Sequence, residues 1–184
     1  MRVLKKYGYI VGEVSADLKS SPVSGLNGYL NVNRLMADSI LIDTVRLGLK
    51  SDADRIAYSV QVRNNKKNPQ YVFNALLNGA LEERGTYIRA KIYDEANKLG
   101  VGLGVRATME DNGIRVSLMD RQAILGYKQF TVNDSNYVFL GNNRRVQADL
   151  RLNSAEGTGL MLTTNNANTE ALQDITLSLN QLNL

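Results

Sequence analysis

Carboxylates come first, because two acids held together can divide the work of a general acid and a general base. They adjoin at Glu82-Glu83, Asp94-Glu95 and Glu110-Asp111, and Asp52 and Asp54 stand two apart. A glycosidase pair needs its carboxyls roughly 5–10 Å apart across a cleft. Each of these acids lies beside a turn signal, where solvated acids belong, and nothing in the spacing makes them converge. Asp52-x-Asp54 and Asp111-Asn112-Gly113 echo the opening of a calcium loop. No closing Glu follows at the end of a loop of roughly 12 residues, so both read as turns. Gly100, Gly102 and Gly104 form a glycine cluster, but a dinucleotide fingerprint ends a strand and opens a helix. These glycines alternate with Leu99, Val101, Leu103 and Val105 inside one strand. There glycine removes side chains from one face and permits a bend or a close approach. Gly157-Thr158-Gly159 reads as a hairpin turn on the same reasoning.

The missing residue types narrow the chemistry further. The chain has no histidine, cysteine or tryptophan. Without His, the usual neutral-pH base and the commonest metal ligand are both absent. Without Cys there is no thiol nucleophile, zinc-finger or iron–sulfur ligand set, or disulfide framework. No catalytic residue, metal ligand or cofactor-binding residue is assigned, and a non-enzymatic protein without a cofactor is expected.

The net charge is +4, from 22 basic and 18 acidic residues, and the basic doublets Lys5-Lys6, Lys66-Lys67 and Arg144-Arg145 are scattered. A nucleic-acid footprint would concentrate them on one face with aromatic residues interleaved, so no nucleic-acid partner is expected. Hydrophobic residues at 43% and only two prolines exclude a disordered or collagen-like chain of these 184 residues. The first residues carry no apolar signal-peptide core, and no apolar run reaches the roughly 18–20 residues of a membrane-spanning helix. A location outside the cytoplasm would need an address outside this chain.

Two-residue alternation recurs throughout. It runs through 13–19, 26–33, 44–50 and 56–63, where Ile56, Tyr58, Val60 and Val62 oppose Ala57, Ser59, Gln61 and Arg63. It returns at 87–93, 99–108, 114–118, 130–132, 136–140, 145–152, 160–162 and 175–180. Residues 71–77 alternate less cleanly, and a helical turn competes there, as it does around Asn97 and over 167–172. Turn clusters separate the runs, among them Ser20-Ser21-Pro22, Asn64-Asn65-Lys66-Lys67-Asn68-Pro69 and Gly141-Asn142-Asn143. The pattern predicts an all-β antiparallel chain of about eleven or twelve strands with short hairpins. Its apolar side is Leu, Val and Ile with only three Phe, which predicts a long aliphatic strip rather than a compact aromatic-centred core. The nine tyrosines, including Tyr29, Tyr58, Tyr87, Tyr93, Tyr127 and Tyr137, are expected in cross-strand packing. Alternation continues to Leu177-Ser178-Leu179-Asn180-Gln181-Leu182-Asn183-Leu184. Residues 1–184 are therefore read as a single β-rich segment excised from a larger protein, whose exposed strand edges at the cut termini predict artificial dimers by edge pairing.

The stretch Ile124-Leu125-Gly126-Tyr127-Lys128-Gln129-Phe130-Thr131-Val132-Asn133, followed by Asn136-Tyr137-Val138-Phe139-Leu140, resembles the C-terminal region of TamB-like proteins. So does the text from Val146-Gln147-Ala148-Asp149-Leu150-Arg151-Leu152 through Gly157-Thr158-Gly159-Leu160 to Leu177-Ser178-Leu179-Asn180. These are translocation and assembly module subunits of the AsmA-like superfamily. The resemblance is one of strand cadence, strongest over 110–184. It implies long antiparallel strands in a curved sheet folded into an open, taco-shaped groove with an aliphatic interior. It further implies a periplasmic protein anchored in the inner membrane by a segment outside this chain. Such proteins serve phospholipid transport between the two membranes, or outer-membrane protein assembly with a barrel partner. Acyl chains of phospholipids need only a dry aliphatic wall, and Val45, Leu47, Leu49, Val101, Leu103, Val105, Leu150 and Leu152 are the residues expected to line it. The same eight residues equally suit the closed core of a β-sandwich. A secreted adhesin-type binding module and a structural spacer of a cell-envelope protein are the alternative functions.

Overall fold

The computed structural model describes residues 9–37, 40–52, 54–64, 72–165 and 173–181. Among them there is no helix. The strands are β1 (Tyr9–Ser21), β2 (Gly25–Ala37), β3 (Ile40–Asp52), β4 (Arg55–Arg63), β5 (Asn74–Glu82), β6 (Gly85–Tyr93) and β7 (Leu99–Glu110). After them come β8 (Gly113–Leu118), β9 (Gln122–Leu125), β10 (Lys128–Val132), β11 (Tyr137–Gly141), β12 (Val146–Ser154), β13 (Gly159–Thr164) and β14 (Ile175–Asn180). All fourteen belong to one antiparallel sheet. Packing divides the chain into two compact units, residues 1–83 with 90–100 and residues 84–89 with 101–184.

In the first unit, β1 to β5 form a meander, each strand hydrogen-bonded to the next in the chain. Residues paired across antiparallel strands point to the same side, and so do residues two apart along one strand. The printed register therefore sorts every side chain onto a face. Ala16 pairs with Leu30, Leu30 with Leu47, Leu47 with Val60 and Val60 with Leu77. The next row runs Val14, Val32, Val45, Val62, Ala75, and the one beyond runs Leu18, Gly28, Leu49, Tyr58, Gly79. The opposite face reads Ser15, Asn31, Arg46, Gln61, Leu76 and Glu13, Asn33, Thr44, Arg63, Asn74. A register slip of one residue would turn every aliphatic side chain to the polar face, so burial and alternation lock the same alignment.

In the second unit the meander continues, with one irregularity that yields fourteen strands rather than eleven or twelve. β8 and β9 lie end to end beside β7, and β10 and β11 lie end to end beside β12. Val105 pairs with Leu118, but Val101 pairs with Leu125. Five residues of β7, 101–105, thus face eight on the other side, 118–125, and residues 119–121 form a break. Residues 133–136 break the neighbouring strand. Side-chain amides bridge both gaps. Asn136 accepts from the Leu118 N–H at 2.6 Å and donates to the Leu118 carbonyl at 3.1 Å. Asn133 accepts from the Arg151 N–H at 2.9 Å and donates to the Asp149 carbonyl at 3.1 Å. A carboxamide carries one donor group and one acceptor in the arrangement of a peptide unit, so each asparagine stands in for a missing ladder residue.

β9 has no separate run in the alternation read above. Its hairpin to β10 turns on Gly126 and Tyr127, both at positive φ (58° and 67°), between the paired Leu125 and Lys128. That is the handedness of a two-residue hairpin loop usually written Asn-Gly, and Gly-Tyr lacks the usual signal. Residues 74–77 belong to strand β5 rather than a helical turn, because Ala75 and Leu77 continue rows set by β4. Asn97, at φ 59°, closes a tight turn in which its N–H donates to the Asp94 carbonyl. The 167–172 turn lies outside the described residues.

The core also departs from expectation. Ala123, Phe130, Val132 and Leu152 are buried together, with Leu103, Leu118, Leu125, Leu150 and Leu160 packed around them. This cluster is compact rather than a strip, with Phe130 the one aromatic ring among eight aliphatic side chains. In β1 to β4 no described hydrophobic side chain is buried.

Candidate functional site

The register gathers an aliphatic face along β1 to β5. Val14 is 52% exposed, Leu18 65% and Leu81 52%. Leu30, Val32, Val45, Leu47, Leu49, Val60 and Val62 are half-buried. A sheet of alternating residues normally covers its apolar side. Here that side retains solvent-accessible Leu and Val, while the other carries Asn, Arg, Gln and Thr together with Val11, Leu35, Ile42 and Leu76.

The eight residues expected to line a wall fall into two groups. Val45, Leu47 and Leu49 lie consecutively on one face of β3, at the middle of the aliphatic rows. Val101, Leu103, Val105, Leu150 and Leu152 belong to the second unit. Leu152 is 6% exposed, and Leu103 and Leu150 pack against the cluster it joins. Val101 and Val105 pair with Leu125 and Leu118, which pack around the same core. Seven of the eight are half-buried and only Leu152 is buried; alternation treats them alike because it reports a face and not how far that face is enclosed. Sequence reasoning also passed over Leu30, Val32, Val60 and Leu77 as wall candidates. Their place on the strip required the register, although each has the same alternation as Leu47.

The second unit carries an apolar pocket of about 270 Å³ with Leu125, Phe130, Leu152 and Leu160 in its lining and Lys128 and Gln181 also at its wall. Beside it, Lys128 Nζ stands 2.8 Å from Glu156 Oε2. That hydrogen bond, with the charge of Lys128, holds the Glu156 carboxyl below its ordinary value of 4.5. A depressed folded-state value means the pair contributes stability above pH 4.5 and loses it as the pH falls through the folded value. The groups are exposed, so the contribution is small. Replacing Lys128 with Met is expected to move the Glu156 midpoint up toward 4.5 in an NMR titration. A midpoint that stays put would mean the pair does not form in solution.

Four of the acids singled out by spacing are engaged in local structure. Asp111 pairs with Arg84 at 2.8 Å, Glu110 with Arg115, and the Asp94 carboxylate caps the Lys98 N–H at 2.8 Å. Asp52 approaches Arg55 at 4.0 Å. Among the described residues no three acids gather where they could hold a metal ion. Gly100, Gly102 and Gly104 lie inside β7. A side chain at Gly104 would meet Met119 Cβ and Arg89 Cγ at 3.3 Å, the close approach that glycine permits. Tyrosines pack against arginines: the Arg115 guanidinium lies 4.5 Å from the Tyr137 ring centre, and Arg106 5.2 Å from that of Tyr87.

No helix among the described residues is long and apolar enough to cross a membrane. No protein-family model matches the chain, and neither the curated proteins nor the solved structures contain a match to it.

Proposed function

We propose that this chain offers the acyl chains of phospholipids a dry aliphatic surface along β1 to β5, as a segment of a TamB-like cell-envelope protein. The observation that carries the reading is the half-buried aliphatic face in which Leu47 sits between Leu30 and Val60. Acyl chains are matched by such a surface without hydrogen bonds or charges, and each methylene withdrawn from water contributes about 0.8 kcal/mol. Headgroups would stay in solvent at the margin. The open groove, the periplasmic location, the inner-membrane anchor elsewhere in the protein and the outer-membrane barrel partner belong to the same proposal and rest on the sequence resemblance. On this reading the protein is not an enzyme and uses no cofactor.

Native mass spectrometry with lipid extraction tests it, on the chain purified from bacteria without added ligand. Phospholipid is expected at fixed stoichiometry and is expected to fall at least tenfold in Leu47→Asp, whose circular dichroism should stay that of the parent. Leu47 and Leu103 are both half-buried, but Leu103 packs against the buried cluster of the second unit, so a charge at Leu47 tests the surface alone. A folded Leu47→Asp chain that keeps its lipid would end the proposal. A lipid-free parent chain would favour the second reading, a structural spacer or adhesin-type module. That reading draws on the closed cluster around Phe130.

A further inference from the structure

We propose that two neighbouring hairpin tips of the second unit, β7–β8 and β11–β12, hold a binding site for a sugar ring that carries a carboxylate. The site is a cavity of about 360 Å³, and all of its lining residues are described. That volume lies at the lower end of the range for small-molecule sites, roughly 300–1,000 Å³. The local sequence builds it. Leu140 pairs with Val146, and the Gly141 N–H donates to the Arg145 carbonyl at 2.8 Å, which leaves Asn142-Asn143-Arg144 as a three-residue loop. Arg144 stands at φ 65°, the left-handed conformation that closes such loops. The Asn142 N–H donates to the Asn112 carbonyl at 2.8 Å and ties one tip to the other. Gly113 and Gly141 pair directly between them. A Cβ at Gly113 would meet Phe139 Cζ at 2.8 Å, and one at Gly141 would meet Asn143 Oδ1 at 2.5 Å. Glycine at both positions therefore lets the phenyl ring and the Asn143 amide come this close to the backbone.

The chemistry of the lining selects the ligand. Phe139 pairs with Arg115 on one neighbouring strand and with Gln147 on the other. Arg115 lies 5.5 Å from the ring centre, and Gln147 lines the cavity with the ring. The negative face of an aromatic ring suits the C–H groups of a sugar. Asn112, Asn142, Asn143 and Gln147 add four carboxamides, each with donors and an acceptor. Sugar hydroxyls also do both, whereas a phosphate or sulfate would leave the amide oxygens unmatched. Asn142 donates to the Asp111 carbonyl at 3.4 Å, and Asn143 Oδ1 accepts from the Arg145 N–H at 3.0 Å. These bonds orient the two amides and leave the Asn142 oxygen and the Asn143 nitrogen for a ligand. Arg145 supplies the charge, because its guanidinium matches a carboxylate with paired hydrogen bonds. No carboxylate is among the lining residues, and Asp111, in the adjoining turn, is held by Arg84 at 2.8 Å. Among the described residues the side chains of Asn112, Arg145 and Gln147 make no hydrogen bond or ion pair, so they can meet a ligand without breaking a contact within the protein. This inference does not depend on lipid binding along β1 to β5.

Amide NMR of the full chain tests this, in separate titrations with glucuronate, glucose and inorganic phosphate. Glucuronate should shift the backbone amides of Asn142 and Asn143 and the side-chain amide of Gln147 saturably. It should bind about tenfold more tightly than glucose, the effect of one charged hydrogen-bonded contact. Arg145→Gln should bring glucuronate down to the affinity of glucose, and Gln147→Ala should weaken both sugars together. Arg145 and Gln147 are exposed, so both variants should keep the parent spectrum away from the two tips, and a lost shift then reports the site rather than the fold. No saturable shift with glucuronate overturns the proposal. So does phosphate that binds as tightly as glucuronate, which would make this a site for any anion, and so does a preference for glucuronate that survives Arg145→Gln.

Discussion

Replacing Phe130 with Ala is expected to lower the stability of the second unit by about 3–5 kcal/mol. Phe130 is 7% exposed on β10 and is the largest member of the buried cluster with Ala123, Val132 and Leu152. It pairs across the sheet with Ala123 on one side and Ser154 on the other. Both neighbours are small and cannot swell to fill the space a phenyl ring leaves. The cost of such a change is the lost transfer free energy plus the residual cavity, and the pocket beside Leu125 and Leu160 shows that this corner already has open volume. At roughly 2–4 °C per kcal/mol for a domain of this size, the melting midpoint should fall by roughly 6–20 °C. Phe139→Ala is the control, since Phe139 lies half-buried beside the Arg115 guanidinium at 5.5 Å, and it should cost about 1 kcal/mol. Equal losses at the two positions would show that the burial of Phe130 does not set the stability of the second unit.

Asn136→Ala is the second large effect, expected at about 2–4 kcal/mol. The Leu118 N–H and C=O both bond to the Asn136 amide and lie part-buried at the break between β8 and β9. Truncation leaves a donor and an acceptor unsatisfied together, and each unsatisfied buried group costs about 1–3 kcal/mol, less where water can reach it. Asn136→Asp separates the two roles. The carboxylate keeps the acceptor for the Leu118 N–H and loses the donor for its carbonyl, so it should fall between Asn and Ala. Amide exchange at Leu118 reads this directly: it should quicken strongly in Asn136→Ala and least in Asn136→Asp. Unchanged exchange at Leu118 in Asn136→Ala would mean the side-chain bridge does not carry the ladder across the gap.

Much of the fold is legible in the order of residues. Ile56, Tyr58, Val60 and Val62 alternate with polar partners, and they form β4 with the aliphatic side on the face their spacing assigns. The glycines at 100, 102 and 104 read as strand positions, and they lie within β7. Such features are local: side chains two apart share a face whatever lies beyond, and a short turn between two runs brings them together antiparallel. The break at 119–121 was not legible, because its repair comes from Asn136, eighteen residues further on. Nothing distinguishes that asparagine from its neighbours Asn133 and Asn142 until the strands are paired.

The candidate surface divides in the same way. Alternation alone determined that Leu47 and Leu152 each lie on the apolar side of a strand. Only the tertiary structure decided that Leu152 is enclosed by Val132, Phe130 and Leu160, while Leu47 is only half-buried among five strands. Spacing along the chain sets the direction in which a side chain points. Whether water is excluded there depends on atoms brought in from strands distant in sequence, and no local pattern records them.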